Sequence, residues 1–244
     1  MNKFYYDTHM HLDLYNNVDE IIQYIEQNKS YTIAVTNLPI LCERISKKYN
    51  NLKYIKFALG LHPQLINQYS EQIPYLWRML EQCRYIGEVG LDFKHTNLEG
   101  KNLQIDVFVK LIKACHNYGG KILTVHSRGA VKEVNEIIGP NFNGKIILHW
   151  FSGSITELKN SIQNGYYFSI NSEMIYSKKG RQIIKLIPVD KLLIESDAPF
   201  TRGLSNNYNL RFIDEIVTVL CELKGTEFTE TYSILKNNFK KLLK

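Results

Sequence analysis

Short apolar runs rich in β-branched and aromatic residues alternate along the chain with longer stretches whose apolar positions recur every three or four residues. The first pattern predicts strands and the second amphipathic helices. In order, the pattern predicts a strand over Phe4–His11, a helix over Val18–Asn28, a strand over Tyr31–Val35 and a helix over Ile40–Tyr49. A strand at Tyr54–Leu59, a helix at Gln72–Gln82, a strand at Arg84–Glu88 and a longer helix at Leu103–Tyr118 follow. Then come strand Lys121–His126, helix Ala130–Ile138, strand Lys145–His149, helix Ile155–Gln163 and strand Tyr166–Ile170. Helix Lys179–Leu186, strand Lys191–Glu195 and two terminal helices over Leu210–Leu223 and Thr229–Leu242 complete the chain. Eight strands separated by helices call for a parallel sheet, and that number favours a closed (β/α)₈ TIM barrel.

No repeat, low-complexity tract or linker interrupts the 244 residues, so residues 1–244 are expected to form a single domain. The composition, 44% hydrophobic and 22% charged, is that of an ordinary globular protein and excludes disordered and fibrous classes. A formal charge of +6 permits a polyanionic partner, although a general bias toward Asn, Lys, Ile and Tyr supplies lysines equally well. Cys42, Cys83, Cys115 and Cys221 form no C-x-x-C pair, which removes zinc-ribbon and dithiol redox chemistry and fits buried thiols in a reducing compartment. No apolar run reaches transmembrane length and no signal-type segment precedes the first strand, so the protein is expected to be cytoplasmic and not membrane-bound.

In a barrel of this kind chemistry sits at the C-terminal ends of the strands. The first strand ends in Asp7-Thr-His9-Met-His11, whose two imidazoles share a strand face, and Gly60-Leu-His62-Pro63 lies just past the third. The fourth ends in Gly87-Glu88-Val-Gly-Leu-Asp92, the fifth in His126-Ser-Arg128, the sixth in His149-Trp-Phe-Ser-Gly153 and the eighth in Glu195-Ser-Asp197-Ala-Pro199. Each histidine alone reads as a hydrogen-bonded core residue; five of the seven placed at one rim point instead to a metal site. Nitrogen from His9, His11, His126 and His149 with oxygen from Glu88 and Asp197 exceeds what one four-coordinate ion needs. The set suits two divalent ions about 3.5–4 Å apart, bridged by a carboxylate, that activate a water and neutralise charge on a displaced oxygen. Zinc, manganese or iron(II) match these ligands better than magnesium alone.

Together these motifs resemble the TatD family of metal-dependent deoxyribonucleases, within the amidohydrolase-like metal-dependent hydrolase barrels. The matching stretches span nearly the whole chain in the family's order. The resemblance implies a (β/α)₈ fold and hydrolysis of DNA phosphodiester bonds with divalent metal (Zn, Mn or Mg). It implies that His9, His11, Glu88 and Asp197 hold one ion and that Glu88 bridges to a second on His126 and His149. It further implies that Asp197 accepts the proton of the attacking water and that His62 contacts the scissile phosphate. Within the family, Tyr31–Pro39, Gly119–Arg128 and the tryptophan of His149-Trp-Phe-Ser-Gly are most similar to the TatD-like component of the Qat anti-phage systems, which implies partner proteins of a defence operon. Trp150 stands where the family motif has cysteine, and the segments after Asp92 and around Phe200-Thr-Arg-Gly-Leu204 diverge.

Other residues carry two readings each. Arg128 and Arg202 suit phosphate oxygens or structural ion pairs. His95 in a rim loop suits substrate contact or plain solvation, whereas His116 falls on a helix surface. Glu195 is expected to support a ligand instead of binding metal. Trp150 and Phe151 suit base stacking or core packing, and Lys236, Lys240, Lys241 and Lys244 form a solvated face or a nucleic-acid contact. Beside a DNase, the same ligands fit a small-molecule amidohydrolase or esterase, or a mainly binding subunit of a defence assembly.

Overall fold

The computed structural model describes residues 4–94 and 96–244; His95 lies outside the described residues. Among the described residues there are eight strands: β1 (Tyr6–Met10), β2 (Tyr31–Val35), β3 (Ile55–Ala58), β4 (Tyr85–Gly90), β5 (Lys121–His126), β6 (Gly144–His149), β7 (Tyr167–Ile170) and β8 (Leu192–Ile194). They pair in sequence order and in parallel as β1-β2-β3 and β4-β5-β6-β7-β8. Two irregular seams join these arcs into a barrel. At β3–β4, Leu59 pairs with Ile86 in a single bridge, and the Gly87 N–H donates to Leu59 O (2.8 Å). At β8–β1, the Asp197 N–H donates to His9 O (2.9 Å) and the His11 N–H to Ala198 O (2.8 Å). Both seams therefore lie at the strand ends that carry the polar motifs.

Glycine makes the first seam possible. A Cβ on Gly60 would stand 1.7 Å from Thr36 O, 2.6 Å from Glu88 N and 2.7 Å from Gly87 O, so only bare backbone lets the strands meet.

Helices wrap the outside: α1 (Val18–Gln27), α2 (Pro39–Lys48), α3 (Ile73–Leu80), α4 (Leu98–Tyr118), α5 (Val131–Ile138), α6 (Ile155–Gln163), α7 (Ser172–Tyr176), α8 (Lys178–Leu186), α9 (Arg211–Lys224) and α10 (Phe228–Leu242). All but α7 carry an apolar stripe on their inner face; on α9 it is Phe212, Ile213, Ile216, Val217 and Leu220. Two helices differ from expectation. α4 begins at Leu98, not Leu103, because the Asn97 side chain caps the Gly100 N–H ahead of the main apolar stripe. α7 is a five-residue turn capped by Asn171, too short to show a period. At the opposite end of the barrel, α10 closes the floor by stacking Phe239 on Tyr6 at 4.3 Å.

Candidate metal centre

The closed barrel brings His9, His11, His62, Glu88, His126, His149 and Asp197 to the floor of one cavity of about 660 Å³ or directly beneath it. Glu88 is the centre, buried and with one oxygen in each half of the cluster. Its Oε2 lies 3.2 Å from His11 Nε2 and 3.5 Å from His9 Nε2. These two nitrogens are 3.2 Å apart, and each is 3.6 Å from Asp197 Oδ1. The other carboxylate oxygen, Oε1, lies 2.6 Å from His126 Nδ1, 2.8 Å from His149 Nε2 and 3.3 Å from His62 Nε2.

These distances fit divalent metal. Bonds of about 2.0–2.1 Å place neighbouring ligand atoms of a tetrahedral ion roughly 3.3 Å apart. The His9–His11–Glu88–Asp197 separations of 3.2–3.6 Å straddle that spacing. Asp197 Oδ1 is buried and makes no hydrogen bond, a costly arrangement for a carboxylate oxygen that a cation would relieve. The His126–His149 half is drawn in to hydrogen-bonding distance around Glu88 Oε1.

A second layer orients the imidazoles. His9 Nδ1 meets Thr124 Oγ1 at 2.7 Å, which turns Nε2 toward Glu88. His126 Nε2 meets Asp92 Oδ2 at 2.8 Å, and Asp92 is itself held by Gln64 Nε2 (2.8 Å) and the Lys94 N–H (2.9 Å). This carboxylate–histidine pairing fixes the tautomer that presents Nδ1 to the site. Glu195 stands behind His149, with Oε1 3.8 Å from Nδ1, and accepts from the Trp150 N–H, Asn171 Nδ2 and the Ser169 hydroxyl. Asp7 does not enter the cluster; it accepts from the N–H groups of His9 and Ser196 and from the Tyr208 hydroxyl, tying β1 to the end of β8.

The cluster also sets its own charge. Burial alone pushes the Glu88 carboxyl up, but the His62 and His149 imidazoles and hydrogen bonds with His11 and His126 hold it well below the usual carboxylate range. Burial opposes a charged His11, yet Asp197 and Glu88 carry its pKa up to about 9. His126 is raised, against burial, by Asp92 and Glu88, and His149 is raised further by Glu88 and Glu195. Burial and the charge of His149, whose ring stacks on it at 4.0 Å, lower His9. Asp92 falls to about 2 because its bonds to His126 and the Lys94 N–H outweigh burial. Protons thus compensate the carboxylates where divalent ions would replace them.

The remaining rim residues divide. Arg128 lines the cavity, is exposed and makes no ion pair among the described residues. Arg202 is absent from the cavity wall; its guanidinium forks onto Glu173 at 2.7 and 2.8 Å and lies over the Tyr176 ring, so the ion-pair reading is the one the structure displays. Phe151 is buried against Phe168 in the core, while Trp150 lines the cavity. His116 is exposed on α4. Lys236 sets its ammonium over Phe4, and Lys240, Lys241 and Lys244 are exposed. Sequence reasoning left Asp92 and Thr124 without roles. Asp92 was legible as an acidic residue four after Glu88, whereas nothing in the sequence marks Thr124.

A parallel (β/α)₈ barrel with a mixed histidine–carboxylate cluster at its C-terminal rim defines the class of metal-dependent hydrolases. Within that class the chain belongs to the TatD related DNase family, whose model matches residues 6–244. Its relatives include the uncharacterized metal-dependent hydrolase YabD of Bacillus subtilis, 28% identical over 98% of both chains. They also include the deoxyribonuclease TATDN3 of Homo sapiens, 24% identical over 97% of this chain and 93% of that one. Among solved structures, the TatD homologue YJJV of Escherichia coli superposes with a TM-score of 0.81 at 24% identity, covering 99% of this chain and 98% of the other. A phosphotriesterase homology protein from Escherichia coli, complexed with phosphate in its active site, shares the fold at a TM-score of 0.68 and 13% identity over the full length of both. Among the described residues no helix is long and apolar enough to cross a membrane.

Proposed function

We propose that this single-domain barrel hydrolyses DNA phosphodiester bonds with two divalent ions, of zinc, manganese or magnesium. The observation that carries the reading is the division of Glu88, one oxygen toward His9, His11 and Asp197 and the other toward His126 and His149. His9, His11 and Asp197 would hold one ion, His126 and His149 the second, and Glu88 both. When bound, such ions lower the pKa of water and neutralise charge gathering on the phosphoryl oxygens. Asp197, on the cavity floor, accepts the proton of the attacking water. His62, whose Nδ1 accepts the Gln64 N–H and whose Nε2 turns into the cavity 3.3 Å from Glu88 Oε1, contacts the scissile phosphate. Arg128 offers a further cation at the mouth. Arg202 reaches phosphate only by leaving Glu173.

The relative TATDN3 of Homo sapiens, a deoxyribonuclease by name, supports DNA as substrate. The Tyr31–Pro39 and Gly119–Arg128 segments, with Trp150, support a role beside partner proteins of a Qat-type defence operon in the cytoplasm. Labelled single- and double-stranded DNA, incubated with each metal and with chelator, tests the reaction. Chelator-sensitive cleavage is expected; cleavage that ignores chelator, or none with any metal, contradicts it. A Glu88→Ala protein that still protects cells fully in a plaque assay would make the protein a binding subunit.

A further inference from the structure

Two aromatic side chains stand in the cavity above the ligands and take no part in holding metal. Phe200 is 58% exposed although it is a large apolar ring, and its edge rests on His11 with centroids 5.1 Å apart. Trp150 directly follows His149 and lines the same cavity. Its backbone lies at φ +39°, a region that bulky side chains rarely enter. The Trp150 N–H donates to Glu195 Oε1, and the turn sends Phe151 into the core while leaving the indole in the cavity wall. A strained backbone at a tryptophan and an uncovered phenylalanine, both bordering one polar cluster, are features that burial does not explain. The same cavity carries Asn37, whose Oδ1 is buried and makes no hydrogen bond among the described residues.

We propose that Trp150 and Phe200 form a base-stacking subsite, with Asn37 at its edge, that holds the nucleobase next to the scissile phosphate; this rests on the nucleic-acid substrate proposed above. Planar rings suit a base because every base offers a π-face, so stacking binds it without demanding one sequence. An unpaired amide oxygen adds an acceptor for an exocyclic amine or ring N–H.

The chain has two tryptophans, so Trp77→Phe leaves Trp150 as the sole indole, which is excited selectively beyond the absorption of the tyrosines. Metal-loaded protein of that background is titrated with a phosphorothioate hexathymidylate, which resists hydrolysis, and with the same backbone built from abasic units. Indole emission is expected to quench with the first and not with the second. In the Trp77-containing protein, Trp150→Ala should cut the preference for the base-bearing strand roughly five- to 150-fold, the span of one lost stack, and Trp150→Phe should restore most of it. Phe200→Ala should act in the same direction. Equal affinity for both strands in the parent, absent quenching, or full preference in Trp150→Ala overturns the subsite. A parallel fall in affinity for both strands with loss of bound metal in Trp150→Ala also overturns it, because the indole would then act only through Glu195 and His149. Cleavage of unmodified DNA is scored separately: base preference without cleavage ends the nuclease reading alone, and cleavage without base preference ends the subsite alone.

Discussion

At the scale of single residues, the cluster depends on carboxylates that never face the substrate. Asp92 aligns His126, so Asp92→Asn should keep the shape but weaken divalent-ion affinity about 10- to 100-fold, read by competition with a chromogenic chelator. Protons and metal compete for the same nitrogens. Because His11 in the metal-free protein is raised from 6.5 to about 9, it carries a proton at neutral pH that the ion must displace. Affinity for the ion on the His11 side should therefore rise by about tenfold per pH unit for each proton released, and its His11 contribution should level off above pH 9; a flat profile between pH 6 and 9 would contradict this. The sign for stability is the reverse. The ion pairs of protonated His11 stabilise the metal-free fold fully below pH 6.5, and that contribution is lost as pH rises through 9. The ligand types were legible because strand ends expose them at regular places along the chain. Thr124 was not: a threonine in mid-strand reads as an ordinary β-former, and its bond to His9 exists only once β5 and β1 are brought together across the barrel.

At the scale of elements, periodicity located every strand and all helices except α7, and local caps decided the ends. α6 runs over Ile155–Gln163 as its pattern indicates because Ser154 and Glu157 form a reciprocal capping box visible in the sequence. α4 starts before its main apolar stripe, and there the cap outweighs the pattern; Asn97→Ala should cost about 1 kcal/mol in urea unfolding. The seams were hidden, since no alternation of apolar and polar residues announces that β3 and β4 meet through one bridge. Gly60 carries that junction. Gly60→Ala drives a methyl into the Thr36 carbonyl and should destabilise the fold by about 3 kcal/mol or more, with a lowered urea midpoint. A neutral Gly60→Ala would show that the seam is looser than its geometry.

At the scale of the whole molecule, the ends of β1, β3, β4, β5, β6 and β8 converge on one cluster around Glu88, and side chains as distant in sequence as His9 and Asp197 share a few ångströms. Ions that bind only the folded barrel must stabilise it: at a hundredfold excess over the dissociation constant each site adds about 2.7 kcal/mol. For a chain of this size that is a rise of roughly 5–10 °C in Tm per site, reversed by chelator. The most direct test is a crystal grown with manganese or zinc and measured at the absorption edge. Two anomalous peaks about 3.5–4 Å apart, one on each side of the Glu88 carboxylate, are the result expected. A single peak away from Glu88, or none at full metal saturation, would contradict the two-ion centre.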